Sequence, residues 1–396
     1  MRRLVAPLGA LALSLTLFSG PPAHAAVEKY PIGPDNRIDV IGHGYGHGKG
    51  MSQYGALGAA REGLGVWRIL DFYYPGTRVG TIRRPVWVQV SAASRYRALV
   101  VRDRSHLRVR DHGVKRTHAL RVARARKWRL VPRANGRTRV DVKVPGKRWQ
   151  RHRVLRGTGH FAAGGRPITL RVPGVGWKPY RGKLLSIGPT KKSRSRDVVN
   201  VLSLEKYLRG VVPTEMPATW DPAAVQAQSV AARTYAAHQL QDRRAPHYQI
   251  CDTTACQVYG GVDAEHPAAT RAIRATRTRI LTYGGSPAFT QFSSSNGGHS
   301  APGNPAYQRA RHDPYDKPAV NPNHDWRVRF SRARIHRQWP QVGRVKRLVV
   351  LGRDGHGDWG GRVNRIRVVG SKGRVTMSGD TFRFALGLKS TYFTLR

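Results

Sequence analysis

Short runs that alternate apolar with polar or basic residues dominate the chain from about residue 84 to residue 200. Examples are residues 86–90 (VWVQV), 138–142 (TRVDV) and 168–172 (ITLRV), and glycine, proline and basic turns separate such runs. An alternation with a period of two is typical of half-buried strands. This part of the chain is therefore predicted to be β-rich.

Helical signals concentrate between residues 203 and 280. Ser203 is placed to cap a short helix that stops at Gly210. The Asp-Pro pair at 221–222 then begins a second helix, with Asp as the N-cap and Pro in the first turn. Its body, residues 223–240, contains many alanines, which lets another element approach closely. Residues 67–74 predict a further short amphipathic helix before a Pro-Gly turn.

These patterns predict a mixed α+β fold with two packed lobes, in which a helical segment carries Glu215. The chain divides into a leader at 1–25, a Gly/His-rich block at 26–80, a basic β-rich lobe at 81–185 and a final unit at 186–396. Two packed units suit this length.

The leader has the pattern of a secretory signal peptide. Two arginines precede an apolar run from Leu4 to Phe18, and an A-x-A site predicts cleavage after Ala25. The run is too short for the roughly 20 residues that a bilayer core requires. The mature chain is therefore expected to be exported, without a transmembrane segment, as a secreted or wall-associated protein.

The composition is strongly basic, with 70 Lys and Arg against 22 Asp and Glu, a formal charge of +48. Loss of Arg2 and Arg3 with the leader would leave +46 (48 − 2). Such a charge favours polyanions, and export points to wall polymers rather than nucleic acid. The alternative is an arginine-rich solvated surface that reflects a GC-rich genome, because the charge is spread along the chain.

Cys251 and Cys256 are the two cysteines of the chain. In an exported protein a short-range disulfide is the default expectation. A zinc site would need two more ligands. His247 is near, but Ala255 stands before the second cysteine, so the disulfide is favoured and no cofactor is predicted.

Glu215 is the candidate catalytic residue. It lies between Pro213 and Pro217, close to Val211, Val212, Met216 and Trp220. Apolar surroundings disfavour the charged carboxylate and raise its pKa, as an acid catalyst near neutral pH requires. The structural alternatives are a cap on the following helix or an ion pair with an arginine.

Two polar, glycine-rich segments are candidate ligand sites. The Gly-His tract at residues 42–48, which includes His47, could bind metal, line a saccharide groove or form a tight turn around Tyr45. The loop around Ser294, Ser295, Gly297 and Gly298 suits hydrogen bonding to sugar hydroxyls, although an ordinary surface turn looks similar. No G-x-S-x-G, H-E-x-x-H or phosphate-loop motif occurs.

Several segments together resemble the stage II sporulation protein D and LytB amidase-enhancer family. In order, they are residues 207–217 (YLRGVVPTEMP), 227–236 (AQSVAARTYA), 256–261 (CQVYGG), 294–298 (SSNGG) and 378–390 (SGDTFRFALGLKS). They cover roughly residues 180 to 396. Residues 46–56 (GHGKGMSQYGA) and the nearby 69–77 look like another family block, which usually follows the others. Its early position implies that residues 40–80 fold back onto the C-terminal half.

The resemblance implies a lytic transglycosylase that cleaves the bond between N-acetylmuramic acid and N-acetylglucosamine and closes a 1,6-anhydro ring. Glu215 matches the family's catalytic glutamate, so residues 186–396 would be the catalytic unit. One acid/base carboxylate suffices, whereas ordinary glycosidases use a pair. Zinc-binding members have a histidine beside the second cysteine, where Ala255 stands here, so zinc at Cys251 and Cys256 is disfavoured.

The expected substrate contacts come from side chains and backbone of these segments. They are Gln228, Arg233, Gln257, Ser294, Ser295, Gly297, Gly298 and His47. Expected partners are peptidoglycan glycan strands, anionic wall polymers and, in the rival interpretation, a cell-wall amidase. In that rival the chain is a non-catalytic wall-binding protein that enhances the amidase.

Overall fold

The structure is a computed structural model that describes residues 27–94, 98–188, 190, 196–241 and 245–396. The expected leader, residues 1–25, lies outside the described residues. Strands outnumber helices throughout, and the mixed α+β class is confirmed. No helix in the described part of the chain is long and apolar enough to cross a bilayer.

The helices are α1 (Gln53–Arg61), α2 (Val66–Tyr73), α3 (Ser91–Ser94), α4 (Leu204–Arg209), α5 (Val212–Glu215), α6 (Pro222–Gln239), α7 (Pro267–Ala275), α8 (Arg332–Gln338) and α9 (Gly379–Leu386). The strands of the first half are β1 (Glu28–Pro31), β2 (Arg37–His43), β3 (Met51–Ser52), β4 (Arg78–Thr81), β5 (Pro85–Gln89), β6 (Leu99–Arg102), β7 (Arg108–Asp111), β8 (Arg116–Ala119), β9 (Lys127–Pro132), β10 (Thr138–Lys143), β11 (Gln150–Leu155), β12 (Gly159–Ala162), β13 (Ile168–Val172), β14 (Gly176–Tyr180), β15 (Lys183–Ile187) and β16 (Asp197–Ser203). The strands of the second half are β17 (Ile250–Cys251), β18 (Arg279–Tyr283), β19 (Ser286–Pro287), β20 (Phe292–Ser293), β21 (Asp325–Ser331), β22 (Val345–Arg353), β23 (Val363–Gly370), β24 (Arg374–Ser378) and β25 (Phe393–Leu395).

Two large sheets and helices α1 to α7 share the first hydrophobic core. One sheet has the strand order β17-β5-β16-β15-β12-β7-β8 and the other β11-β10-β9-β6-β13-β14. The core between them includes Trp128 and Phe161, and it continues under the alanine face of α6. Because α6 is rich in alanine, α1, α2 and α7 can all pack closely on it.

A second core lies among strands from both ends of the chain. Strand β1 pairs with β22, and β2 lies between β21 and β25. Phe330, Phe382 and Phe393 fill this core with the apolar faces of α8 and α9. In addition, β3 pairs with β20 and β4 with β18. The predicted fold-back of residues 40–80 is confirmed by these pairings, whereas the domain boundaries stay predictions.

The local signals read from the sequence are confirmed where helices begin. The Ser203 side chain accepts from the Lys206 amide, and Asp221 accepts from the Ala223 amide at 2.8 Å. The predicted strand at 168–172 is β13, and the amphipathic segment at 67–74 is α2, shifted by one residue. Caps and period-two patterns are local, so no tertiary contact was needed to find them.

A buried carboxylate, Asp316, ties the Gly/His-rich block to the loop that follows β20. Its Oδ2 accepts hydrogen bonds from the hydroxyls of Ser52 and Ser295, both at 2.9 Å. The amides of Asn296 and Gly297 donate to the same oxygen at 2.9 and 3.1 Å. A buried charge is tolerated when its lone pairs are satisfied in this way.

Replacing Asp316 with Ala should therefore destabilise the protein strongly. The change leaves several buried donors without an acceptor, at about 1–3 kcal/mol for each donor that stays unpaired. We expect the free energy of unfolding, measured by urea denaturation, to fall by about 3 kcal/mol or more. Asp71→Ala, at an exposed position of α2, is the matched control and should stay within about 0.5 kcal/mol of wild type. Equal stability of the two variants would contradict the role given to Asp316.

Candidate active site

Glu215 lies at the last position of α5, and its place follows from the local sequence. The helix starts at Val212 with Pro213 in its first turn, where a missing amide hydrogen costs nothing. It ends because the residue before a proline avoids the helical region. Met216, which precedes Pro217, is accordingly extended at φ −138° and ψ 137°.

The Glu215 carboxyl group is half-buried and has a defined hydrogen bond. Its Oε1 accepts from the Val258 amide at 2.9 Å. Val211, Val212 and Met216 around it are buried. Burial raises the pKa of Glu215 above its ordinary value, and the Val258 amide opposes this rise by stabilising the carboxylate. Among the described residues no hydrogen bond reaches Oε2.

Neither structural alternative for Glu215 holds. Asp221, rather than Glu215, caps α6. Within the described ranges no ion pair joins Glu215 to a cationic side chain, and burial outweighs every other influence on its pKa. A half-buried carboxyl without a cation partner is the state expected of a proton donor.

The loop that presents Val258 is held at several points. The structure joins Cys251 and Cys256 in a disulfide, and a disulfide sulfur is not a thiolate ligand for zinc. The Thr214 hydroxyl donates to the Val258 carbonyl at 2.8 Å. Both the amide and the carbonyl group of Val258 are therefore bound by α5, the amide by Glu215 and the carbonyl by Thr214.

Gln257 is placed in the interior rather than at a surface groove. Its Oε1 accepts from the Tyr207 hydroxyl at 3.2 Å, and its Nε2 donates to the Ala232 carbonyl at 3.2 Å. The side chain is 1% exposed. The predicted direct contact with substrate is therefore corrected, since both ends of the amide already bind protein and anchor the Val258 loop to α4 and α6.

Two further predicted contact residues, Gln228 and Arg233, are also fully buried. Arg233 forms a two-point ion pair with Glu205, with both N–O distances at 3.0 Å, and donates to the Ile273 carbonyl at 3.1 Å. Gln228 accepts from Gln53 at 3.4 Å, which joins α6 to α1. Both predictions of substrate contact are corrected, because both side chains lie in the interior, where Gln228 Nε2 has no hydrogen-bond partner among the described residues.

The Ser/Asn/Gly loop packs on the Gly-His tract. Tyr45 and Ser295 exchange two backbone hydrogen bonds at 2.9 and 3.0 Å. A Cβ atom on Gly297 would stand 2.6 Å from the Gly44 nitrogen, so only glycine fits this crossing. Ser295 is buried on Asp316, whereas Ser294 and Gly298 are half-exposed. Of this predicted set, Ser294 and Gly298 are thus the residues that a ligand can reach.

His47 lines a cavity that Glu215 does not line. The cavity measures about 300 Å³ and includes Lys49, Arg362 and Asp380 in its wall, with no residue of α5. Burial, together with the nearby charge of Lys49, lowers the pKa of His47 to about 4. Its Nδ1 accepts from the Lys49 amide at 2.9 Å, so the neutral ring carries its hydrogen on Nε2. The structure therefore does not bring His47 to Glu215.

Tyr54 and Trp220, which the sequence did not single out as ligand contacts, connect the Ser/Asn/Gly loop with the start of α6. The Tyr54 ring lies on Trp220 with centroids 4.8 Å apart, and the Tyr54 amide donates to the Ser294 carbonyl at 3.0 Å. Trp220 also lines a cavity of about 500 Å³ with Gln226, His266 and Arg271. An aromatic residue five positions after Glu215 was the available signal for this cavity.

Comparison with known proteins bears on the same segment. Residues 192–283 match the model of the SpoIID family, described as Stage II sporulation protein. The resemblance is thereby confirmed for the region that contains Glu215, α6 and the Val258 loop.

Three curated relatives each match about a quarter to a third of this chain. An uncharacterized protein of Brachyspira hyodysenteriae is 40% identical over 104 residues, 26% of this chain and 28% of that protein. The Amidase enhancer of Bacillus subtilis is 35% identical over 131 residues, 32% and 17% of the two chains. Stage II sporulation protein D of Bacillus subtilis is 32% identical over 127 residues, 28% and 37% of the two chains. Each match thus spans well under two thirds of the relative's length, and no solved structure matches.

Glu215→Gln should leave the folded protein intact and should not reduce its stability at neutral pH. Burial raises the pKa of Glu215, so the stability that its protonated form contributes is complete below the ordinary carboxyl pKa and is lost as pH rises. The neutral amide removes this loss and keeps an oxygen for the Val258 amide. We expect the free energy of unfolding at pH 7 to equal or exceed that of wild type.

The difference between the variant and wild type should vanish below about pH 4, where both side chains are neutral. Urea denaturation at several pH values checks both statements. A variant clearly less stable than wild type at pH 7 would show that the ionised carboxylate has a structural partner.

Proposed function

We propose that this protein is an exported lytic transglycosylase that cleaves peptidoglycan between N-acetylmuramic acid and N-acetylglucosamine, with Glu215 as the acid and base. One observation carries the proposal. Glu215 is a half-buried carboxyl group with a raised pKa, bound by an amide instead of a cation, inside the segment that matches the SpoIID family.

In the first step the protonated carboxyl donates to the glycosidic oxygen. Oε1 already accepts from Val258, so the proton is carried on Oε2. As the proton leaves, the bond from muramic C1 to that oxygen breaks, and the sugar acquires oxocarbenium character. The Val258 hydrogen bond strengthens at the same time, because an ionised acceptor binds an amide more tightly than a neutral one.

In the second step the Glu215 carboxylate takes the proton of the muramic 6-hydroxyl. The oxygen then attacks C1 and closes the 1,6-anhydro ring, and Glu215 is protonated again. No water is consumed and no second carboxylate is required, in contrast to a hydrolase. A single residue whose two protonation states are both supported, by burial and by the Val258 amide, suits this sequence.

Trp220, five positions after Glu215, and Tyr54 are the proposed sugar contacts. Their rings are half-buried and in contact with each other, so each presents part of an apolar face. An aromatic side chain combines an apolar body with a polar edge, as does a pyranose ring. The cavity beside Trp220 would hold a neighbouring part of the glycan.

The rival function is a wall-binding protein that enhances a partner amidase. One relative carries the name Amidase enhancer, and a basic cavity of about 800 Å³ offers a binding site for wall anions. The cations of its wall are Arg83, Arg84, Lys206, Arg209, Arg274 and Arg277. Its one carboxylate, Glu205, is already paired with Arg233.

The catalytic proposal is tested by mass spectrometry of sacculi digested with the purified mature chain. Wild type should release fragments with 1,6-anhydro-muramic ends. Each fragment should be about 18 mass units lighter than the hydrolysis product, because the ring closes without addition of water. Glu215→Gln should lower the rate by about 100-fold to 10,000-fold, the usual contribution of an acid–base residue. Glu62→Gln, which alters an exposed carboxylate paired with Lys317, is the control and should keep full activity.

Equal anhydro product from wild type and Glu215→Gln would exclude the assignment of Glu215. If no glycan product forms with any variant, but a partner amidase turns over faster in the presence of the chain, the enhancer function is correct.

Binding to sacculi tests the basic cavity separately. The double variant Arg83→Ala, Arg84→Ala should bind about 2- to 30-fold more weakly at 0.15 M salt, from two partly screened ion pairs. Arg121→Ala, Arg124→Ala removes the same charge from exposed positions elsewhere and serves as the control. If both double variants lose affinity equally, net charge rather than this cavity binds the wall.

A further inference from the structure

Two histidines and an aspartate meet where β2 and β21 lie side by side. His43 ends β2, and Asp325 begins β21 directly opposite it in the antiparallel register. His324 precedes Asp325, and its carbonyl accepts from the Gly44 amide at 2.8 Å. One side-chain ligand atom from each of His43, His324 and Asp325 lies within 4.8 Å of the others.

The two imidazole rings converge on one carboxylate oxygen. His43 Nδ1 lies 2.7 Å and His324 Nδ1 3.0 Å from Asp325 Oδ1. The His324 contact does not have hydrogen-bond geometry, and that Nδ1 is buried without another partner among the described residues. Two nitrogens and one oxygen around a common point are a donor set for a first-row divalent metal.

The other side of the His43 ring has the surroundings of a metal-binding histidine. Its Nε2 lies 3.2 Å from Asp358 Oδ2, close to the carboxylate although without hydrogen-bond geometry. The ring stacks on Trp359, with centroids 4.4 Å apart and planes 3° from parallel, and meets the edge of Tyr392. A carboxylate behind a histidine fixes the ring and makes its other nitrogen a better ligand.

We propose that His43, His324 and Asp325 bind a divalent transition metal, with zinc as the best match, and that Asp358 supports His43 from behind. The neutral imidazoles and the carboxylate supply three ligands and leave a fourth position for water or a ligand oxygen. The Asp325 side chain is 57% exposed, so the metal enters from solvent. This site is separate from Glu215 and from the cysteine pair.

The proposed metal fastens the N-terminal part of the chain to its C-terminal half. His43 and Asp325 are 282 positions apart in sequence. They flank the loop crossing at which the Ser/Asn/Gly segment packs on the Gly-His tract, and a Cβ atom on Gly298 would lie 3.2 Å from His324 Nε2. Binding to the folded chain alone stabilises it through mass action.

The alternative is a side-chain network without metal, in which the His43 ring lies between the carboxylates of Asp325 and Asp358. Both arrangements are compatible with the same interatomic distances, but they predict different results when zinc is added. The metal site gives saturable binding that depends on His324, whereas the side-chain network gives none.

The test uses the mature, disulfide-bonded chain, freed of metal by a chelator and then titrated with Zn²⁺ by calorimetry. We expect one zinc per chain, confirmed by elemental analysis after dialysis, and a rise in Tm with zinc. His324→Ala and Asp325→Asn should each abolish binding and the rise in Tm. Asp358→Asn should weaken binding about 10- to 100-fold, as loss of a supporting carboxylate does.

His312→Ala, at an exposed histidine on the surface, is the control and should bind zinc as wild type does. Circular dichroism and Tm without metal establish that each variant is folded, so that lost binding is not lost structure. The proposal is overturned if the wild-type chain binds no zinc, or if folded His324→Ala and Asp325→Asn bind it with unchanged stoichiometry and affinity.

Discussion

The packing of the Gly/His-rich block on the loop after β20 depends on one buried carboxyl group, that of Asp316. A buried charge is costly unless hydrogen bonds replace its lost water, and Asp316 recovers them from two separate parts of the chain. Ser52 belongs to the early Gly/His-rich block, whereas Ser295 and the amides of Asn296 and Gly297 follow β20. The two parts are therefore fixed against each other, and Tyr54, one residue into α1, is held on Trp220.

Asp313 extends this network, and its raised pKa shows that a second charge is disfavoured there. Its Oδ2 accepts from the Tyr73 hydroxyl at 2.8 Å and from the Asn296 amide group at 2.7 Å. Burial, with the neighbouring charge of Asp316, raises the pKa of Asp313 to about 6. Asp313 therefore gains a proton at a higher pH than an ordinary carboxyl group does.

Acidic residues are scarce in this chain, and the buried ones fall into two kinds. Glu205, Asp141 and Asp39 each pair with one or more arginines. Asp316, Asp313, Asp111, Asp252 and Glu215 instead accept from hydroxyl and amide donors, and of these Asp252 and Glu215 are half-buried. Asp252 and Glu215 both have a raised pKa and no cation partner among the described residues, so it is the resemblance of residues 207–217 to the family's segment, together with the missing cation, that supports the proposal for Glu215.

The sequence predicted what depends on neighbours in the chain. Helix starts at Ser203 and Asp221, the strand at 168–172 and the apolar surroundings of Glu215 are all set within a few residues. The roles of Gln228 and Arg233 were wrong because a polar side chain on an alanine-rich helix looks the same whether it faces a groove or a buried partner. For Arg233 that partner, Glu205, is 28 positions away. His43 was part of a tract noted for metal binding, but only the pairing of β2 with β21 reveals His324 and Asp325 beside it.

The loop around Val258 determines which oxygen of Glu215 accepts a hydrogen bond from the protein. A free glutamic acid can carry its proton on either oxygen, and a donor that must reach one glycosidic oxygen gains from having a single choice. The Val258 amide occupies Oε1, the Thr214 hydroxyl holds the Val258 carbonyl, and Gln257 anchors the next residue in the core. The disulfide between Cys251 and Cys256 closes the same loop. In the proposed mechanism the cysteines and Gln257 would therefore act by position, through the Val258 peptide that binds one oxygen of Glu215.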